Sequence, residues 1–214
     1  MRLRRNWQGE AKLPAMPGVL GAEPEVLRAG WSTEFGGIHP VHVEIGMGKG
    51  EFLLTMAEKN PDVDFIGVER VLTVLYIAAE KYQKKPLTNL RFLSTDARAL
   101  EYCFLPGQVD RIYLNFSDPW PKQRHAQRRL TAAPLLAAYR RILAPGGQLH
   151  LKTDQERFFD FSLGELVRGG WSVGKINRDL HASGFDGNIE TEYERRFLRQ
   201  GQPIYRLEAW NGHA

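Results

Sequence analysis

The sequence predicts an α/β fold in three layers, with helices on both faces of a mainly parallel sheet. Three observations carry this. Strand-like and helix-like stretches alternate from Val41 to Lys152, no internal repeat or low-complexity linker divides the chain, and a content of 43% hydrophobic and 25% charged residues is that of a folded globular protein. Strands that alternate with helices need right-handed crossovers, which lay the helices over both faces of the sheet.

The elements follow in order. Val41 to Gly46 (VHVEIG) is a short β-branched run and the first expected strand. A glycine turn leads into Glu51 to Lys59, where Phe52, Leu53, Met56 and Ala57 recur at helical spacing. Asp64 to Val68 is the second strand, Val71 to Lys84 a helix, and Leu90 to Ser94 the third strand. The Pro106-Gly107 turn precedes the fourth, Arg111 to Phe116. Ala132 to Leu143 is helical and stopped by Pro145-Gly146-Gly147, after which Gln148 to Lys152 is the fifth strand. Trp171 to Ile176 and Pro203 to Trp210 read as two late strands, expected to pair antiparallel at a sheet edge, with no helix expected in the long segment between them.

A chain of 214 residues buries roughly 70% of its unfolded surface and needs no disulfide or structural metal. The lone Cys103 can form neither an internal bridge nor a CxxC metal site, which fits a reducing compartment. The first ten residues, MRLRRNWQGE, lack the apolar run of a secretory signal, and no stretch approaches the roughly 18 apolar residues of a membrane span. No membrane partner and a cytoplasmic location are therefore expected. The net charge of +4 is unevenly spread. Lys122, Arg124, Arg128 and Arg129 fall within PKQRHAQRRLT, which contains no acid, and Arg2, Arg4 and Arg5 form a second cluster in a basic N-terminal extension, 1–30, whose order the sequence leaves open. Taken alone, such a run is better accounted for by a solvated face than by a polyanion, although clusters of this kind suit a nucleic-acid backbone.

In folds of this class, ligands bind at the carboxyl ends of the strands. Four of those ends carry acids: Glu44 on the first strand, Glu69 ending the second, Asp96 after the third and Asp118 after the fourth. The first also carries Gly46-Met47-Gly48-Lys49-Gly50, whose bare backbone allows close approach of a ligand. Glu51 stands next to these glycines, unfavourably for a pyrophosphate at the helix start, and Lys49 is misplaced for a phosphate-binding loop of the Walker type. Glu69 is placed to accept from a ribose diol and Asp96 from an adenine amine, so a nucleoside without phosphates fits better than a dinucleotide.

The glycine turn together with an acid ending the second strand resembles class I S-adenosylmethionine-dependent methyltransferases. Asn115-Phe116-Ser117-Asp118-Pro119-Trp120-Pro121-Lys122-Gln123-Arg124-His125, followed by Arg128-Arg129-Leu130, narrows this resemblance to the bacterial tRNA (guanine-N7-)-methyltransferases of the TrmB family. The same resemblance takes in Val43 to Gly50, Gly67-Val68-Glu69, Asp96-Ala97, Lys152-Thr153-Asp154 and Thr191-Glu192-Tyr193-Glu194, with Phe197 and Gly201. Gln127 departs from it, standing where the family commonly has a basic residue.

The resemblance implies a Rossmann-like class I methyltransferase fold: one domain, 1–214, with a mainly parallel seven-stranded sheet and an antiparallel edge hairpin strand. It implies S-adenosyl-L-methionine as cofactor, bound by Glu44, Gly46, Gly48, Gly50, Glu69, Asp96 and Asp118, with Asp118 also the catalytic residue. Lys122, Asp154, Thr191, Glu192, Tyr193 and Glu194 would form the substrate pocket, and Arg124, His125, Arg128 and Arg129 would contact RNA. The implied partner is tRNA, methylated at N7 of its variable-loop guanine, by a monomer or homodimer. Guanine N7 carries an in-plane lone pair and loses no proton on alkylation, so the chemistry asks for alignment and electrostatic support rather than a general base. A nicotinamide-dependent oxidoreductase and a non-catalytic RNA-binding module are the competing classes. The first lacks the third fingerprint glycine, and the second leaves four strand-end carboxylates without a purpose.

Overall fold

The computed structural model of this chain describes residues 5–20 and 30–212, so Arg2 and Arg4 of the N-terminal basic cluster lie outside the described residues. The chain divides into two units, residues 1–105 and 106–214.

The first unit contains α1 (Trp7–Lys12), β1 (Val19–Leu20), α2 (Trp31–Phe35), β2 (Val41–Ile45), α3 (Glu51–Lys59), β3 (Asp64–Val68), α4 (Leu72–Lys84), β4 (Leu90–Leu93) and α5 (Leu100–Cys103). Its strands lie in the order β1-β4-β3-β2 and are all parallel. Every residue of β2 and β3 is buried, the pattern of parallel strands covered on both faces. Phe52, Leu53 and Ala57 of α3 and Leu75, Ala78 and Ala79 of α4 pack into the same core as Val43, Phe65, Ile66 and Phe92. The described part of the N-terminal extension is folded. Asn6 caps α1 by accepting from the Gly9 amide at 3.0 Å, and its own amide donates to Thr73 Oγ1 of α4 at 3.2 Å.

The second unit contains β5 (Val109–Asn115), a 3-10 turn at Gln123–Arg128, α6 (Ala133–Ile142), β6 (Leu143–Thr153), α7 (Glu156–Arg168), β7 (Ser172–Asn177), α8 (Glu192–Leu198) and β8 (Tyr205–Trp210). Its strand order is β5-β6-β8-β7, with β5 and β6 parallel and β8 antiparallel to both β6 and β7. The expected antiparallel pairing of the two late strands is therefore present.

The structure differs from the sequence expectations beyond the short helices α1, α2 and α5, which were not expected either. Eight strands are described rather than seven, because β1 pairs with β4 over only two residues, too short a run to leave a pattern. β6 begins at Leu143 and takes in Pro145-Gly146-Gly147, with a register irregularity opposite Val109 and Arg111. α7 was not expected, although Phe158, Phe159, Ser162 and Leu166 form its buried face. α8 occupies the segment in which no helix was expected. Thr191 caps it by accepting from the Glu194 amide at 3.0 Å, the first half of a capping box.

Candidate functional site

In the first unit, the glycine turn rests on the end of β3. The amides of Gly46 and Met47 both donate to the carbonyl of Val68, at 2.8 and 3.1 Å. Gly46, Gly48 and Gly50 have φ of 74°, 58° and 74°, so all three occupy the left-handed region and none tolerates a side chain without strain. Met47, between them, turns inward and is buried. Gly67 makes room for it, since a Cβ there would meet Met47 Sδ at 2.2 Å and Leu53 Cδ1 at 2.8 Å. At Gly48, by contrast, a Cβ would meet nothing within 4 Å, so this point of the turn faces open space.

Glu69 binds that turn to the next one. Its Oε2 accepts from the Gly48 amide at 3.2 Å and its Oε1 from the Val71 amide at 2.9 Å. Burial raises its pKa above the usual carboxylate range, and the amides of Val71, Gly48 and Arg70 oppose that rise. A carboxylate has about four acceptor sites, so capacity remains for a further donor, such as a ribose hydroxyl. Asp96 caps the short turn after β4 by accepting from the Arg98 amide at 3.0 Å, and its other oxygen lies 3.7 Å from Arg70 Nη1. Both side chains of that pair are well exposed, so it is weak and easily exchanged for a ligand contact. Glu44 is buried at the end of β2, in register with Gly67.

In the second unit, the segment leaving β5 is strained on both sides of Asp118. Phe116 and Trp120 have φ of 50° and 41°, conformations that cost a non-glycine residue about 1–3 kcal/mol each. Asp118 between them is exposed. Phe116 continues the β5–β6 ladder by donating its amide to the Lys152 carbonyl at 2.9 Å, and its ring stacks against Tyr193 and Phe197 of α8, with centroids 6.4 and 6.1 Å away. The adjacent Ser117 hydroxyl is buried without a hydrogen-bond partner among the described residues, which leaves a donor and acceptor for a ligand.

The basic stretch divides by burial. Lys122, Arg124 and Arg128 are exposed and His125 is half-buried. Trp120 organises two of them, with the His125 ring edge-on at 5.7 Å and the Arg128 guanidinium 5.0 Å from its centroid. Arg129 differs from its basic neighbours in burial. It is only 6% exposed, donates from Nε to the Pro119 carbonyl at 2.9 Å and from Nη2 to the Trp120 carbonyl at 3.0 Å, and lies over the Phe161 ring of α7 at 4.2 Å.

The Thr191 to Glu194 segment also divides. Glu192 and Tyr193 are exposed, as a substrate-facing role requires. Glu194 is fully buried: Lys152 Nζ donates to its Oε2 at 2.8 Å, Asn188 donates to its Oε1, and His181 Nε2 lies 3.4 Å from Oε1. Lys152 Nζ also donates to Asn188 Oδ1 and the Ile189 carbonyl, at 3.1 and 2.9 Å. In this arrangement Thr191 caps a helix and Glu194 balances a buried ammonium. Asp154 is half-buried between β6 and α7 and accepts from the Gln155 side chain. The described residues contain no cluster of three or more metal-ligating side chains and no helix long and apolar enough to cross a membrane.

Residues 38–207 match a family model described as "Putative methyltransferase". The chain is 46% identical to a tRNA (guanine-N(7)-)-methyltransferase of Exiguobacterium sp. over 98% of its own length and 97% of the relative's. It is 47% identical to one from Geobacillus kaustophilus, over 98% and 96%. Among solved structures, the 16S rRNA methyltransferase KamB superposes with a TM-score of 0.64 at 15% identity, covering 85% of this chain and 92% of the other. A structure titled an antibiotic related methyltransferase gives 0.63 at 18% identity, covering 86% and 92%. These two show the Rossmann-like methyltransferase fold.

Proposed function

The chain belongs to the tRNA (guanine-N(7)-)-methyltransferase family, and from that we propose that it methylates N7 of the variable-loop guanine of tRNA. The observation that carries this reading is the exposed carboxylate of Asp118, flanked by two left-handed residues and followed directly by Lys122, Arg124 and Arg128. A carboxylate there accepts from guanine N1–H and the 2-amino group together, a pair of donors that adenine lacks. Its negative charge also favours the cationic ring that N7 methylation leaves behind.

The methyl donor is S-adenosyl-L-methionine, which supplies a methyl carbon on a positive sulfonium: the N7 lone pair forms the new C–N bond while the C–S electrons stay on sulfur. The first unit fits it. Gly46, Gly48 and Gly50 present backbone in place of side chains, with open space at Gly48. Glu69 retains acceptor capacity for a diol, Asp96 is within exchange of a weak pair, and these acids with Glu44 suit a cation. No residue has to remove a proton, in keeping with a site that pairs no nucleophile with a base. Lys122, Arg124, His125 and Arg128 serve the RNA backbone, where contacts position rather than read sequence. Asp154 and the Thr191 to Glu194 segment are the candidates for contact with the guanosine.

N7 lies in the deep major groove of an A-form helix, so the target guanine must be drawn out of its tertiary contacts before it is reached. The proposed location is the cytoplasm. The deciding experiment is methyl transfer from radiolabelled S-adenosylmethionine to unmodified tRNA transcripts, followed by aniline cleavage. A cut at the variable-loop guanine supports the reading, and label without a cut there, or no label, overturns it.

A further inference from the structure

We propose that Arg129 is a positioning residue, which fixes the conformation of the Asp118 loop from beneath rather than touching RNA. The inference rests on the function proposed above and adds a residue to it. Within the basic run, Arg129 differs from Lys122, Arg124 and Arg128 in being buried. A buried guanidinium without acceptors is costly, and here the planar fork meets two consecutive carbonyls, those of Pro119 and Trp120, at 2.9 and 3.0 Å. These follow Asp118 immediately, and Trp120 is one of the two strained residues, at φ 41°. The strained turn is therefore held at its carbonyl side by a cation that cannot lose its proton.

The support beneath Arg129 is equally specific. Its guanidinium lies on Phe161 of α7 at 4.2 Å. Thr131, two residues on, exchanges a hydrogen bond with Ser162 of the same helix at 2.8 Å, and the Ala133 amide donates to Glu165 at 3.1 Å. Three ties thus seat the chain after the Asp118 loop on the stretch of α7 from Phe161 to Glu165. Phe116 is held on the other flank by Tyr193 and Phe197. Asp118 itself is left exposed between two fixed ends. A carboxylate meeting two guanine donors at once depends on such fixing, because small displacements of an aligned group lower the rate steeply.

The test uses the full-length Arg129→Ala and Arg129→Lys variants. The readouts are kcat and KM for tRNA, calorimetric binding of S-adenosylmethionine, and tRNA affinity across a salt series. Arg129→Ala is expected to lower kcat at least tenfold, leave both affinities within twofold of wild type, and keep the wild-type salt slope. Lysine keeps the charge but lacks the planar fork that matches both carbonyls, so Arg129→Lys is expected to retain a rate between the two. Free guanidinium at low millimolar concentration should restore part of the Arg129→Ala rate, while the same concentration of sodium chloride and the same treatment of Asp118→Ala should not. A wild-type kcat in Arg129→Ala overturns the proposal, as does a fall in tRNA affinity with a shallower salt slope, the mark of a lost phosphate contact. Should the alanine variant fail to bind S-adenosylmethionine and so prove unfolded, Arg129→Lys decides, and an unchanged kcat there is equally fatal. A wild-type chain that methylates no tRNA overturns the function itself, and this role with it. An active wild type with an unaffected Arg129→Ala removes only the role.

Discussion

Lys152 and Glu194 meet in the interior of the second unit at 2.8 Å, with side chains 7% and 0% exposed. The pair ties the end of β6 to the first turn of α8, and Phe116 stacks on that helix. Removing one partner strands the other charge in a dry interior, so Glu194→Ala is expected to destabilise the protein by about 3–5 kcal/mol. Lys152→Met should cost a similar amount, and pairing it with Glu194→Leu should recover much of the loss. Urea midpoints at constant slope measure this, and additive losses in the double variant would refute it.

Glu69 makes cofactor affinity depend on pH. Its pKa is raised by burial, so in the free protein it begins to ionise above the usual carboxylate range. The protonated form is a poorer acceptor and carries no charge for a sulfonium, so affinity for S-adenosylmethionine should rise as pH rises through that raised pKa. The stability of the unliganded fold should move in the opposite sense, since ionising a buried carboxyl opposes folding. Calorimetric titration between pH 5 and 8 checks the first expectation, and Glu69→Gln should bind more weakly with a flat profile over that interval.

Two glycines should fail in different ways. Gly67→Ala pushes a methyl into Met47 Sδ, so it is expected to lower stability by about 1–3 kcal/mol, partly relieved by Met47→Ala. Gly48→Ala meets no neighbour but strains a residue at φ 58°, so it should weaken cofactor binding by about tenfold with a smaller change in melting temperature. Equal loss of melting temperature in both would refute the distinction.

Asp118→Ala is expected to lower kcat by at least about a hundredfold while tRNA binding persists. Arg124→Ala with Arg128→Ala should do the reverse, weakening tRNA binding and reducing its salt slope by about one per arginine. Filter binding across a salt series separates them, and a salt slope unchanged in the arginine variant would remove these residues from the RNA surface.

Cys103 should be inert. Burial raises its thiol pKa to about 11, and its backbone carbonyl accepts from the Trp31 indole at 2.9 Å, beneath a ring stacked on Phe104. Iodoacetamide at pH 8 should label it only after denaturation. Because the raised pKa belongs to the folded state, stability should fall as pH climbs toward that value.

The parallel strands β2 and β3 were legible because both are short, buried runs rich in Val, Ile and Phe, although His42 and Glu44 interrupt the first and Asp64 opens the second. β1 was not, because two residues carry no periodicity. α7 had a readable face in Phe158, Phe159, Ser162 and Leu166, but Ser162 and Gly164 interrupt the apolar pattern. The start of α8 is marked in the sequence by Thr191-x-x-Glu194, a capping-box pattern that the polar, exposed residues around it obscure. The four strand-end acids were visible because fold class says where to look. What the sequence hid was burial within a run of like charges: nothing in RRL distinguishes Arg128, exposed beside Trp120, from Arg129, buried beneath it. Lys152 was hidden likewise, since its counter-ion lies 42 residues away.

The two left-handed residues beside Asp118 are held by stacked rings and a buried guanidinium, so the cost of bending this loop is met once, when the polypeptide folds. Each encounter then begins with the protein's side already set. The flexible party is the nucleic acid, and the slow rearrangement in a catalytic cycle should belong to its elbow region. Weakening the tertiary pairs of the transcript should speed turnover more than any loosening of the enzyme.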